Sequence, residues 1–168
     1  MDIIDCRYRP NTPVWMETFT RNPVYEEYVK RTGFDKKPTQ SLAGCAAQLA
    51  SLGIGKALVS GRDIESTYAA PASNDLVDAC VAAYPSLFIG IHGYDPHKGM
   101  KAYKAICQAI RERRSRGASI EPSMAHCPMD DAKYYPLYAL CCDHDLPELV
   151  TARLSHNMPK LLLSPSSP

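Results

Sequence analysis

Leu87-Phe88-Ile89-Gly90-Ile91 is apolar or glycine at every position, and His92-Gly93-Tyr94-Asp95 follows it. A run of that length without alternation reads as a strand covered on both faces, the condition of strands in a parallel sheet with helices packed around it. The flanking sequence supports this. Upstream, Asn74 or Asp75 opens a helix that carries Leu76, Val77, Cys80 and Val81 on one face, and Pro85 lies just past its end. Downstream, Met100, Tyr103, Ile106, Cys107 and Ile110 recur at helical spacing before Gly117 closes that element.

Moving further out, the same unit repeats. The first nine residues read as a strand that starts on Ile3-Ile4 and stops at Pro10, because proline cannot extend a ladder. The polar stretch from Asn11 to Gln40 holds Pro13, Pro23 and Pro38 and predicts one short helix around Tyr25 to Arg31. Ser41 caps a helix marked by Leu42, Cys45, Ala46, Leu49 and Leu52 and stopped by Gly53, and Lys56-Ala57-Leu58-Val59-Ser60 is a strand that runs into Gly61-Arg62-Asp63. Ala118-Ser119-Ile120-Glu121 is the fourth strand; Pro136 opens a helix through Leu140 and Cys142; Leu146 to Thr151 is the fifth strand. Strands and helices that alternate at about 30-residue spacing argue for an α/β fold with a parallel sheet and crossover helices.

Past Thr151 this pattern stops. Residues 152–168, from Ala152 to Pro168, show neither period, and the expectation is an irregular tail foreign to what precedes it, as a frame change or an abnormal splice would produce.

Composition excludes several classes. With 168 residues, 45% hydrophobic and 22% charged, the chain is an ordinary single-domain globular protein. A net charge of +1 gives no general attraction to nucleic acid, and the basic cluster from Arg111 to Arg116 reads as a helix end. No segment approaches the ~20 apolar residues of a membrane span. The opening Met1-Asp2-Ile3-Ile4-Asp5 is acidic where a secretory leader is basic, so a cytoplasmic location is expected. The seven cysteines are odd in number and include no Cys-x-x-Cys; Cys45, Cys80 and Cys107 are expected on buried helix faces as small hydrophobes. Nucleotide-binding glycine fingerprints and a Gly-x-Ser-x-Gly elbow are also missing.

Three segments carry a family resemblance. Ile3-Ile-Asp-Cys-Arg-Tyr-Arg9 stands where an Ile-Asp-x-His-x-His strand would stand. Ala57 to Asp95 contains the Asn74-Asp75 helix start and Tyr84-Pro85 before the apolar strand. Gly117-Ala-Ser-Ile-Glu-Pro122 is followed by Asp131-Ala-Lys-Tyr-Tyr-Pro-Leu-Tyr138 and Asp145-Leu-Pro147. Together they resemble the amidohydrolase-related family, which includes metal-dependent hydrolases and aminocarboxymuconate-semialdehyde decarboxylases. The resemblance covers about residues 1–151. It implies a (β/α)8 TIM-barrel-like fold of ~250 residues, here incomplete: about five parallel strands with crossover helices, the N-terminal portion of a barrel. An uncovered barrel interior is an association hazard, so a homo-oligomer is expected.

The resemblance implies a hydrolase, or less readily a decarboxylase, acting on a small carboxylated or lactone-like organic molecule, with a divalent zinc or manganese ion as the family's cofactor. The family's two first-strand metal histidines correspond to Arg7 and Arg9, which stay protonated and offer no lone pair, so no metal site is assigned. Arg7, Arg9 and Arg62 are instead substrate-binding candidates, because a guanidinium fork fits a carboxylate; the competing expectation is rim arginines paired with Asp5 or Asp63. His92, expected in a barrel-mouth loop with Asp95 and His97, and Glu121 with His126 are the candidates for proton transfer, or for holding a metal in an altered geometry. His144 reads as a helix C-cap, and Trp15 and Tyr8 read as core in preference to the lining of a pocket. The alternative function is a non-catalytic barrel remnant that binds an organic acid or associates with a full-length relative; a flavodoxin-like binding module ranks last.

Overall fold

Five short strands form the frame: β1 (Ile3–Tyr8), β2 (Ile54–Ser60), β3 (Phe88–Gly93), β4 (Ala118–Ile120) and β5 (Glu148–Val150). They come from a computed structural model that describes residues 3–151; the atypical segment 152–168, with His156, lies outside the described residues, as do Met1 and Asp2. Every neighbouring pair is parallel and the sheet order is β1-β2-β3-β4-β5, so each strand lies beside the next one in sequence. Parallel neighbours require a crossover between them. The sheet curls into a half-barrel with helices between its strands.

The helices are α1 (Pro13–Thr20), α2 (Glu26–Thr32), α3 (Leu42–Ser51), α4 (Glu65–Tyr68), α5 (Asn74–Ala83), α6 (Met100–Arg111), α7 (Pro122–Ala125) and α8 (Tyr135–Asp143). Ser41 caps α3 by accepting from the Gly44 N–H at 3.1 Å, and Pro136 sits in the first turn of α8, where its missing N–H costs nothing.

Strand alternation divides the side chains between two environments. Ala57 and Val59 of β2 and Phe88 of β3 pack outward against Leu49 of α3 and Val77 and Cys80 of α5. Ala118 and Ile120 of β4 pack outward against Ile106 of α6 and Leu137 and Leu140 of α8. Each large apolar side chain buried this way contributes roughly 1.5–3 kcal/mol. The intervening residues, Leu58 and Ser60 with Arg62 beyond them, and Ser119 with Glu121 beyond it, therefore line the concave side.

Several expectations are corrected by the structure. Residues 11–40 hold two helices, α1 and α2, rather than one. Thr12 accepts from the Trp15 N–H and Pro13 occupies the first turn, so this proline starts a helix. Cys45 and Cys80 are fully buried, but Cys107 is only partly so. His92 belongs to β3 and not to the loop after it. His144 does cap α8.

One glycine is dictated by the fold. A Cβ on Gly93 would stand 2.5 Å from the carbonyl carbon of Arg62 and from the nitrogen of Asp63, both backbone atoms. Only glycine lets the end of β3 run this close to the chain leaving β2, which fixes where Arg62 begins.

The outer edges of β1 and β5 have no strand partner among the described residues, and Ile3, Ile4 and Val150 are 51%, 52% and 43% exposed there. Across the concave side the Arg7 guanidinium reaches Oγ1 of Thr151, just beyond β5, at 3.4 Å.

Candidate anion-binding site

The C-terminal ends of β1, β2 and β4 deliver Arg9, Arg62 and Glu121 to one point. Glu121 is 6% exposed and is held by both arginines: Nε of Arg62 lies 3.0 and 2.9 Å from its two oxygens, and Nη2 of Arg9 lies 3.4 Å from Oε1. The stretch between β1 and α3 closes over them. The Phe19 ring of α1 lies 4.8 Å from the Arg62 guanidinium carbon and 5.7 Å from that of Arg9, and the Tyr25 ring lies 4.9 Å from Arg62. Cation–π contact of this kind lets arginine leave bulk water without losing all of its electrostatic stabilisation.

Two guanidinium groups share one carboxylate, so the cluster carries an excess positive charge in a largely buried setting. The strain on that charge is visible at Arg9: burial, reinforced by repulsion from Arg62 and opposed by Glu121, pushes its pKa down to about 10. The surplus cation favours a second anion. Beside it are two spaces. A cavity of about 20 Å³, room for one water-sized group, is bounded by Arg9, Arg62, Trp15, Phe19 and Tyr25. A cleft of about 510 Å³ shares Arg9, Trp15 and Phe19 and adds Tyr28, Phe34 and Lys37, a size and an apolar lining typical of small-molecule sites.

The other candidates lie elsewhere. Arg7 is exposed; its backbone N–H donates to Asp5 at 2.9 Å, whereas Arg9 pairs with Glu121 and not with Asp5 or Asp63. Asp63 is instead bound by Lys98 at 2.7 Å, and Lys98 also meets Glu65 at 2.8 Å. His92 is 4% exposed and points to the outer layer, where Nε2 lies 2.8 Å from Asp78 of α5, itself paired with Arg114. Burial lowers the His92 pKa against the opposing pull of Asp78. His97 meets the Ala125 carbonyl at 2.7 Å. His126 is exposed, in the left-handed region at φ 51°, with its Nε2 3.0 Å from the Tyr68 hydroxyl. Glu121 and His126 flank α7 and are engaged with different partners, so the structure does not join them as a Glu-His pair.

Sequence reasoning missed Phe19 and Tyr25. The available signal was the run of aromatics Trp15, Phe19, Tyr25, Tyr28 and Phe34 in a stretch otherwise read as a polar connection.

The donor set does not suit a divalent metal. Arg9 stands at the strand end, Glu121 is saturated by two cations, and no group of three His, Cys, Asp or Glu side chains converges among the described residues. Arginine repels a cation and cannot coordinate one.

No family model matches the chain, and a comparison with curated proteins finds no match either. Solved structures do match. A 5-carboxyvanillate decarboxylase from Novosphingobium aromaticivorans, solved with manganese and a nitrobenzoic acid, superposes with a TM-score of 0.61 at 17% identity over 88% of this chain and 49% of that one. The chain has the fold of the N-terminal half of an amidohydrolase-type barrel. An uncharacterised TIM-barrel protein from Bordetella bronchiseptica gives 0.62 at 26% identity over 89% of this chain and 55% of that one. An amidohydrolase II structure gives 0.60 at 14% identity over 96% and 56%. This chain thus spans about half the length of the solved structures it matches.

Proposed function

We propose that this half-barrel binds a small carboxylated organic molecule through Arg9 and Arg62, as the substrate-recognising part of an amidohydrolase-type enzyme that hydrolyses such acids or their lactones. The observation that carries this reading is the pair of guanidinium groups on one buried carboxylate, capped by Phe19 and Tyr25 and open to an aromatic cleft. The setting supports it, since the site lies at the C-terminal ends of barrel strands, where such barrels place their active sites. The neighbours support it too: among them are decarboxylases of small carboxylated aromatics, one solved with 2,6-dihydroxybenzoate.

Each residue has a role within its reach. Arg9 and Arg62 hold the ligand carboxylate, Arg7 extends the positive field along the strand, and Glu121 orients both guanidinium groups. Phe19 and Tyr25 exclude water and so strengthen the charge interactions. Glu121 is the carboxylate proposed for proton transfer. No step is drawn through a metal, because the donors here do not fit one.

A second reading is favoured by one observation: His92, His97 and His126 are all engaged by other groups, His92 by Asp78, His97 by Ala125 and His126 by Tyr68. On that reading the chain binds an acid without turning it over, alone or beside a full-length relative. Calorimetric titration with benzoate and with succinate, paired with turnover assays on aryl and aliphatic lactones, decides the matter. Binding with turnover supports the enzyme; binding without turnover supports the second reading; the absence of saturable carboxylate binding refutes both.

A further inference from the structure

Every polar side chain around the small cavity is accounted for by a partner except one. The Thr18 hydroxyl donates to the Trp15 carbonyl at 2.8 Å. Asn22 accepts from the Val24 N–H at 3.1 Å. Ser73 accepts from the Arg62 N–H at 2.8 Å and faces the Arg62 carbonyl at 3.4 Å. The guanidinium groups of Arg9 and Arg62 are on Glu121. Among the described residues, the hydroxyl of Tyr25 alone of these is buried with no hydrogen-bond partner, although its ring stacks on Arg62 and lines the same cavity.

A phenol sealed from water without a partner is costly, and a native fold seldom keeps one unless a water or a ligand completes it. The cavity beside it admits one water-sized group, which is also the size of one carboxylate oxygen. We propose that Tyr25 is the third donor of the site, its hydroxyl binding the carboxylate oxygen that enters between Arg9 and Arg62 and so selecting a carboxylate ligand. This rests on the carboxylate-binding reading above and deepens it.

The chemistry is consistent with the role. Burial pushes the Tyr25 pKa up to about 12, although Arg62 and Arg9 pull it down, so the group stays a protonated donor across the ordinary pH range. Two guanidinium groups alone would accept a phosphate, a carboxylate or a chloride with little preference. A neutral donor in a one-atom cavity favours a planar group that projects a single oxygen and disfavours a tetrahedral anion that fills the space. Tyr25 reaches the site from the short turn Pro23–Tyr25 between α1 and α2, so the stretch between β1 and α3 contributes specificity as well as cover.

The test uses Tyr25→Phe, which keeps the ring over Arg62 and deletes only the hydroxyl. Benzoate is the probe, with inorganic phosphate as competitor, read by calorimetry and by fluorescence of Trp15, which is the only tryptophan and lines the cavity. The expected result is benzoate binding weakened about tenfold or more, as for loss of a hydrogen bond to a charged group, and a lower preference for benzoate over phosphate. The unfolding midpoint of the ligand-free variant is expected to be unchanged or slightly raised, because the hydroxyl has no partner to lose. Equal benzoate affinity in the two proteins overturns the proposal, and so does a lowered ligand-free midpoint with affinity unchanged. If the unsubstituted chain itself fails to bind benzoate, the carboxylate reading falls and takes this one with it, an outcome separable from failure of Tyr25 alone.

Discussion

Replacing Glu121 by glutamine is the most informative perturbation of the cluster, because it affects stability and binding in opposite directions. Glu121 is 6% exposed, and the arginines it neutralises are 14% and 23% exposed. Removing one partner of a buried ion pair costs about 3–5 kcal/mol, since the charge left behind is uncompensated. Two features reduce that figure here: Arg9 retains some solvent, which screens it, and glutamine keeps one oxygen for Nε of Arg62. A net loss of roughly 2–3 kcal/mol remains, equivalent to about 5–10 °C in Tm for a domain of this size. At the same time the fixed charge of the cluster rises from +1 to +2, so a carboxylate should bind more tightly and repair the defect. A ligand at 100 times its Kd returns about 2.7 kcal/mol, nearly the whole loss. The assay is urea unfolding of both proteins with and without saturating benzoate, at low and high salt. Expected is a destabilised variant that benzoate restores almost to the unsubstituted level, with the rescue shrinking in high salt. A variant as stable as the unsubstituted chain, or one that benzoate stabilises no more than the unsubstituted chain, would refute the claim that Glu121 neutralises an anion site.

Other predictions concern the frame. Folding lowers the His92 pKa below its ordinary 6.5 through burial, so the unfolded chain binds the extra proton first. Stability is therefore full above pH 6.5 and declines as pH falls from there through the folded value; His92→Gln should flatten that limb in urea-unfolding curves collected at stepped pH. Glu148 behaves oppositely: burial raises its pKa from 4.5 to about 6, and its Oε1 has no partner among the described residues. The folded state then holds the proton more tightly, so Glu148 favours folding below pH 4.5 and loses that contribution as pH rises through 6. Glu148→Gln should consequently stabilise the chain at pH 7 by about 1 kcal/mol and have a smaller effect at pH 4.5, measured by the same unfolding series. Gly93→Ala drives a methyl group into the Arg62–Asp63 backbone; it should cost about 1–3 kcal/mol and abolish benzoate binding, since Arg62 moves with its main chain.

What the sequence disclosed, and what it withheld, follows from the range of the interactions involved. The alternation of strand and helix is a local signal, because a strand covered on both faces is apolar throughout and a helix on its surface is apolar on one stripe. The unbroken run from Leu87 to Ile91 and the periodic Leu42, Cys45 and Leu49 therefore identified their elements directly. The placement of Arg9, Arg62 and Glu121 at strand ends was also legible, since Arg9 and Glu121 directly follow a strand and Arg62 follows one after a single glycine. Which of them would meet was not. The Arg9–Glu121 pair joins residues 112 apart, and only the curl of the sheet, absent from any local pattern, sets their distance. His92 was misplaced by a single strand residue, and with period two that error moves a side chain from the concave mouth to the outer layer. Phe19 and Tyr25 were missed because their prolines suggested a connection, whereas Pro13 at the start of α1 and Pro23 at the start of its short turn are both first-turn residues that begin structure.

The acid-binding role proposed for the arginines does not require the first-strand histidines that the family resemblance leads one to expect. A divalent cation at the ends of such strands supplies positive charge and a vacant coordination position together. A guanidinium supplies only the first, fixed in place and independent of pH, with planar donors suited to a carboxylate. On the proposed reading the arginines recognise an acid without a metal, whereas activation of a water molecule by coordination cannot be performed by Arg7 or Arg9. On the reading proposed above, turnover relies on proton transfer by a carboxylate such as Glu121, which both arginines contact. This leads to a kinetic expectation: hydrolysis, if it occurs, should persist undiminished in the presence of a strong chelator and vanish in Glu121→Gln even as benzoate binds that variant more tightly. Loss of turnover to the chelator would place the chemistry on a metal, and the reasoning from the arginines would fail.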